Sequence, residues 1–275
     1  MNVLEIIKTI DMSVMLPTLE KEMLKYEQAQ CPVIHHFSPG LYVREVNIPA
    51  GTFAIGYRQK KEHLNVFLKG KVVMLNDNGT VTELVAPMIF TGKPGRKAGY
   101  ISEDMVWLNV YPTEETDVAT LEDTYLDKSG HWEKVQSDKL PKLIDQEDYK
   151  RVLEEYGYDE ETVRSQSENE EDQIPFPSGS YSVAVFPSNI EGFGLFATAH
   201  FKEGDTICPA GLDGMRTPAG RFTNHSKRPN AKMQRIGNDV YLVAIKDING
   251  CTGGKIGDEI TVDYRRSIDI EERVR

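Results

Sequence analysis

From Pro112 to about Pro177 the chain is acidic and helix-permissive, and its later part, DQEDYKRVLEEYGYDEETVRSQSENEED, has few apolar residues to bury. Such a stretch cannot offset the conformational entropy of folding by itself. On either side the texture changes. Residues 41–111 are short runs of Val, Ile, Phe and Tyr cut by Gly, Pro and Asn, as in LYVREVNIPAG, LNVFLKGKVVML and DMVWLNVY, which is the pattern of strands joined by tight turns. After IPFPSG the same texture returns in YSVAVF, GLFAT, DTICPA, VYLVAI and DEITVDY. The chain therefore reads as mainly β, with two β modules joined by an acidic, partly helical linker. The expected divisions are an N-terminal helical segment over 1–30, a first module over 31–112, the linker over 113–179, a second module over 180–267 and a tail over 268–275. A chain of 275 residues is long enough for two separate cores.

Residues 17–30, PTLEKEMLKYEQAQ, place Leu19, Met23 and Tyr26 at helical spacing behind a proline suited to a first helical turn, which predicts one short amphipathic helix. The Asn78-Gly79 pair in LNDNGTV predicts a hairpin, because both central positions of a primed turn need positive φ. With 43 acidic against 32 basic residues the net charge is −11. That argues against a surface that neutralises nucleic-acid phosphates, and it offers no general attraction to anionic membranes. No apolar run approaches the ~20 residues of a membrane-spanning helix. The opening MNVLEIIKTIDMSVML carries acids and has no basic region ahead of an apolar stretch. The expectation is a soluble, cytoplasmic chain with protein or small-molecule partners. Cys31, Cys208 and Cys251 are widely spaced, odd in number and never in a Cys-x-x-Cys pair, so they read as reduced and structural.

The residues that suggest chemistry lie in the second module. RFTNHSKRPNA, residues 221–231, gathers Asn224, His225, Ser226, Pro229 and Asn230 in one short stretch. A polar turn is one reading, since Asn, Ser and Pro all favour bends. EGFGLFAT at 191–198 sets Gly192 and Gly194 around Phe193, which suits either a glycine-rich β turn or a backbone pressed against a ligand. GDEITVDY at 257–264 ends a strand in Tyr264. Together and in this order the three elements resemble the SET domain, a family that transfers a methyl group from S-adenosylmethionine to protein lysine. Its signature is a Gly-x-Gly segment, an Asn-His-Ser segment with Pro-Asn shortly after, and a Gly-x-Glu segment ending in Tyr. The resemblance covers about eighty-five residues and implies a compact SET-type β fold. It implies S-adenosylmethionine held near Gly192, Phe193, Gly194, Asn224 and His225, with Tyr264 as the catalytic phenol. Pro229 and Asn230 would be the bend that lets their segment pass beneath the last motif, with Glu259 as the anchor of that crossing. Tyr241 is either a second channel residue or a packed strand tyrosine. The sequence departs from the family in two places. Only thirteen residues, CPAGLDGMRTPAG, separate GDTI from RFTNHS, where the family inserts a longer segment that helps form the peptide groove. The tail RRSIDIEERVR lacks the cysteine-rich zinc cluster of many members.

In the first module, HLNVFLKGKVVML and PMIFTGKPGRKAGYISEDMVWLNVY are similar to the two motifs of the cupin barrel, a small jelly-roll, over about seventy residues. Cupin enzymes usually hold a metal with a His-x-His pair and a Glu before the first glycine turn, plus a His in the second motif. Those positions fall near Gly56 and Arg58, at Glu62 or His63, and near Ala98 or Tyr100, so the metal cage looks lost. His35, His36 and His63 are other imidazole candidates. His35 and His36, however, are neighbours that would point to opposite faces of a strand. No metal is expected.

Two functions follow from these resemblances. One is an S-adenosylmethionine-dependent methyltransferase acting on a lysine of a protein partner. The other is a non-catalytic assembly protein, a homo-oligomer through the metal-free cupin-like barrel with the SET-like fold as a binding module. A cupin-like barrel followed by a compact SET domain resembles proteins of tailed bacteriophages, which would place the chain in a host cytoplasm or a virion.

Overall fold

In the computed structural model, which describes residues 12–75, 80–129 and 143–267, the chain forms two mainly β units. One comprises residues 1–115, 120–138 and 251–255, the other residues 116–119, 139–250 and 256–275.

The first unit opens with helix α1 (Met12–Met23). Its strands are β1 (Val33–Ser38), β2 (Leu41–Ile48), β3 (Phe53–Ile55), β4 (Arg58–Gln59), β5 (His63–Leu75), β6 (Val81–Val85), β7 (Met88–Gly92), β8 (Ala98–Pro112) and β9 (Leu126–Asp127). Helix α2 (Val118–Tyr125) precedes β9. The main path is β1-β2-β8-β5-β6, with β3 on β8, β7 on β5 and β4 paired with β9. All these pairs are antiparallel.

Strands β5 and β8 each serve two partners. β5 pairs with β7 through His63–Phe67 and with β6 through Lys71–Leu75, while β8 pairs with β3 at Ala98–Tyr100 and with β2 from Met105 to Pro112. Each long strand therefore turns a corner, and register shifts between Phe67 and Val72 mark where it happens. Gly70 sits at that corner with φ of 100°. A Cβ there would lie 2.8 Å from the Glu103 carbonyl oxygen and would also strike the main chain of Asp104. The result is a cupin-like β unit. Phe67, Val72, Ile101, Met105 and Trp107 form one buried cluster inside it. The Asn65 Oδ1 atom accepts hydrogen bonds from Trp107 Nε1 at 2.9 Å and Asn109 Nδ2 at 2.8 Å. The hairpin expected at Asn78-Gly79 lies outside the described residues; on either side, Leu75 pairs with Val81.

The helix expected over 17–30 is instead α1, which begins earlier, ends at Met23 and contains Pro17. An interior proline sacrifices a helical hydrogen bond. Tertiary contacts outweigh that loss: Leu16 packs with Leu75 and Ala98, and Glu20, one turn on, pairs with Arg96. Tyr26 is 73% exposed, so the apolar stripe stops short of it.

The second unit holds helices α3 (Leu143–Tyr156), α4 (Glu160–Glu168) and α5 (Pro218–Phe222). Its strands are β10 (Gly179–Tyr181), β11 (Val183–Pro187), β12 (Phe193–Ala197), β13 (Thr206–Leu212), β14 (Met215–Arg216), β15 (Asn224–His225), β16 (Ala231–Ile236), β17 (Asp239–Ala244) and β18 (Glu259–Val262). One four-stranded sheet runs β11-β12-β18-β15 and the other β14-β13-β17-β16. Within the first of these sheets, β15 and β18 are parallel, with Asn224 opposite Thr261 and His225 opposite Val262. Leu195, Leu242, Ile248 and Ile260 are fully buried between the elements of this unit. Cys31, Cys208 and Cys251 are buried and form no disulfide among the described residues.

The corner glycine is the point where the barrel backbone is least replaceable. Gly70→Ala adds a Cβ to a residue at positive φ and against two carbonyls, and should lower unfolding free energy by more than about 2 kcal/mol. Urea denaturation followed by far-ultraviolet circular dichroism measures it.

Candidate functional site

The three chemistry-bearing segments of the second unit converge on strand β18. β12 lies along one edge of β18, with Leu195 opposite Ile260 and Phe196 opposite Glu259, and β15 lies along the other. Gly194, Asn224 and Tyr264, far apart in sequence, are thereby brought around one short strand.

The carboxylate of Glu259 ties the segments together. Its Oε1 accepts from Ser188 Oγ at 2.7 Å and from Asn224 Nδ2 at 2.9 Å. The same Asn224 amide donates to the carbonyls of Phe193 at 3.0 Å and Glu191 at 3.2 Å, so it pins the turn that carries Gly192. An amide has two N–H groups, and here they are shared among three acceptors. Gly194 makes this approach possible, because a Cβ there would run into the Glu259 carboxylate. Gly192 is different: it has φ of 41° and open space where a side chain would project. Beside it Phe193 is 52% exposed, meets Phe222 edge-to-face at 6.1 Å, and Arg221 lies 4.8 Å over the Phe222 ring.

Asn230 completes the anchoring of β18 from the other side. Its Nδ2 donates to the Glu259 carbonyl at 2.8 Å and its Oδ1 accepts from the Thr261 N–H at 2.8 Å, so one side chain takes the place of a neighbouring strand. The main chain of 226–230 runs beside the same strand, with Ser226 N–H donating to Val262 and Asn230 N–H to Thr261.

His225 is buried and its ring is fully engaged. Nδ1 accepts from the Tyr264 N–H at 3.2 Å, which leaves the proton on Nε2, facing Asp148 Oδ2 at 3.0 Å. The ring stabilises the chain around Tyr264 and presents no free nitrogen to a ligand. Tyr264 itself is held at both ends: its hydroxyl donates to the Thr223 carbonyl at 3.0 Å, and its ring meets Tyr149 edge-to-face at 6.0 Å. Burial, with smaller effects from Tyr149 and Glu259, raises the phenol well above its ordinary value, so it stays protonated at neutral pH. Tyr241 lies on β17 in the other sheet, opposite Pro209 and Gln234.

Helix α3 supplies residues that the sequence reading passed over. Asp145 accepts from Ser226 Oγ at 2.9 Å and from the Lys227 N–H at 3.1 Å. Asp148 accepts from Arg265 Nη1 at 3.0 Å in addition to His225, and Arg265 continues to Glu155 at 2.6 Å. The signal was present in the acidic stretch, where Asp145, Asp148, Val152 and Tyr156 recur at helical spacing with Val152 fully buried. A face that mixes carboxylates with apolar residues is hard to tell from a solvated one.

In the first unit, His35 is buried with Nδ1 at 2.8 Å from Tyr42 Oη, and burial lowers its imidazole to about 3. His36, on the other face of β1, meets Glu45 Oε2 at 3.0 Å, while the His63 ring tilts against Tyr111. Among the described residues no three His, Cys, Asp or Glu side chains form a metal-binding group.

No protein family and no curated protein matches the chain. Several solved structures resemble about a third of it. A protein of unknown function from Vibrio parahaemolyticus is 11% identical, over 31% of this chain and 96% of its own, with a TM-score of 0.27. A cupin domain from Bordetella pertussis is 15% identical, over 32% and 98%, with a TM-score of 0.27. A cupin superfamily protein from Desulfitobacterium hafniense is 11% identical, over 34% and 87%, with a TM-score of 0.25.

The Asp148 network should be visible in acid. Hydrogen bonds from Arg265 and then His225 outweigh burial and hold the Asp148 carboxyl down to about 2, below the ~3.9 of an unfolded chain. Its stabilisation is complete above about pH 4 and is lost as pH falls towards 2. Asp148→Ala, which strips His225 of its acceptor, should cost on the order of 3 kcal/mol at neutral pH. Asp148→Asn should flatten the acid limb of a stability-against-pH curve measured by urea unfolding.

Proposed function

We propose that the second unit is a SET-type protein-lysine methyltransferase that uses S-adenosylmethionine. The observation that carries this reading is the fixing of Tyr264 at its hydroxyl, its ring and its main-chain N–H, at the end of the strand on which the Gly-x-Gly and Asn-His-Ser segments converge.

The residues present fit such a cofactor at an observable place. Gly192 leaves its flank open, and next to it the exposed Phe193, with Phe222 and the Arg221 guanidinium, offers aromatic faces and a cation. These suit an adenine and an amino-acid carboxylate. Asn224 acts indirectly, by holding the 191–193 turn in register with β18. His225 likewise acts through the Tyr264 main chain. When bound, S-adenosylmethionine supplies the methyl group: the carbon–sulfur bond breaks with its electron pair staying on sulfur as the amine nitrogen forms the new carbon–nitrogen bond. The target lysine must arrive neutral, its ammonium having lost one proton to solvent, and transfer would leave it as the methylated ammonium. Tyr264, kept protonated, orients the amine and offers a fixed dipole to the partial charge on the methyl, so its contribution is positioning and not proton abstraction. The short segment before Arg221 leaves recognition of the protein substrate to surfaces other than the family's usual insertion.

A second reading, a non-catalytic assembly protein, is favoured by the outer face of the barrel. Leu64, Leu68 and Ile89 are 42%, 55% and 67% exposed, and Val66 stands opposite Ile89, which makes a continuous apolar strip of the kind that a second copy of the chain would cover.

Calorimetric titration of the intact protein with S-adenosylmethionine separates the two. The methyltransferase reading expects binding, weakened about tenfold or more by Asn224→Ala as the 191–193 turn loosens. Absence of binding at about 1 mM cofactor overturns it and leaves the assembly reading.

A further inference from the structure

The first unit holds a partly open cavity of about 520 Å³, within the range that holds small organic molecules. Its walls are largely apolar, with Val46 and Ile48 from β2, Val72 from β5, and Ile101, Met105 and Trp107 from β8. Three charged groups besides the exposed Glu27 also border it: Glu20, Arg44 and Lys97.

The charged groups at the cavity are not all paired with one another among the described residues. Glu20 is answered by Arg96. Glu122 is a single buried carboxylate shared by two cations, Arg44 at 3.5 Å and Lys128 at 2.8 Å. Arg44 Nε is buried and makes no hydrogen bond. Lys97 has no carboxylate within ion-pairing distance among the described residues, and its ammonium instead lies 5.5 Å from the Trp107 ring and 5.7 Å from Phe90. Burial lowers the Lys97 ammonium from its ordinary value, the mark of a cation that lacks an anion. An unpaired, partly desolvated charge is costly unless something compensates it.

We propose that this cavity binds a small carboxylate with an apolar body, its head on Lys97 and its tail along the wall of Val46, Ile48 and Met105. Lys97 takes the head because, among the described residues, it is the cavity cation with no competing carboxylate, while Arg44 adds to the positive field from β2. Two of the other polar groups on the wall are engaged: Tyr57 Oη donates to the Gly254 carbonyl at 2.8 Å, and the Gln59 side chain accepts from Tyr111 at 2.8 Å. The apolar walls favour an acid with a hydrocarbon body over a phosphate or a sugar. This binding needs no metal and does not rest on the methyltransferase reading of the other unit.

Octanoate and its neutral counterpart octanamide, titrated calorimetrically into the full chain, test the assignment. Octanoate should bind at one site per chain, and Lys97→Gln should weaken it about tenfold or more while leaving octanamide unchanged. Val46→Phe, which narrows this cavity, should weaken both. A smaller cavity of about 300 Å³ also touches Lys97 but not Val46, so octanoate binding that survives Val46→Phe and falls with Lys97→Gln would move the site there and overturn the proposal. No octanoate binding to the wild type at about 1 mM, or undiminished binding by Lys97→Gln, would also overturn it. Because Lys97→Gln removes an unpaired half-buried charge, its melting temperature without ligand should be no lower than that of the wild type, and a lower one would contradict the charge argument.

Discussion

Strand β18 is only four residues long, and the carboxylate and backbone of its first residue, Glu259, carry the order of the second unit's candidate site. The side chain collects Ser188 and Asn224, and the Glu259 carbonyl takes Asn230. Through Asn224 the same carboxylate fixes the turn around Gly192, and through the β15 pairing it sets where His225 and then Tyr264 must lie. A residue at 8% exposure with this many partners is a polar hub whose cost of burial is met only if all of its donors are present. That requirement explains why Gly194 must lack a side chain and why Asn, and no other turn former, stands at positions 224 and 230.

Much of this was legible in the sequence, for identifiable reasons. Period-two runs bounded by Gly, Pro and Asn announce strands wherever one face is buried, so both β units could be seen. The Gly-x-Gly, Asn-His-Ser and Gly-x-Glu segments could be seen as a set because each carries residue types with restricted uses. What could not be read was the donor and acceptor pattern. His225 suggests a ligand contact until Asp148 and the Tyr264 N–H occupy both of its nitrogens, and Asp148 sits in a stretch whose acidity reads as solvation. Helix α1 was misplaced for a related reason: Leu16 and Glu20 are held by Leu75, Ala98 and Arg96, partners that local spacing does not reveal.

The barrel follows a different economy. Its corner at Gly70 is a backbone constraint, and its interior combines a dense cluster around Trp107 with an open, cation-bearing cavity. The two units thus differ in what they hold: a largely apolar cavity bordered by Arg44 and Lys97 in one, and a buried phenol fixed by Thr223 and Tyr149 in the other.

Methyl transfer itself tests the central claim most directly. Intact protein incubated with methyl-labelled S-adenosylmethionine and a cell lysate should place label on lysine of a protein. Tyr264→Phe, in which the hydroxyl to Thr223 is gone, should still bind the cofactor but lose transfer by about a hundredfold or more. Equal labelling by Tyr264→Phe, or cofactor binding by the wild type without any labelling, would contradict the account.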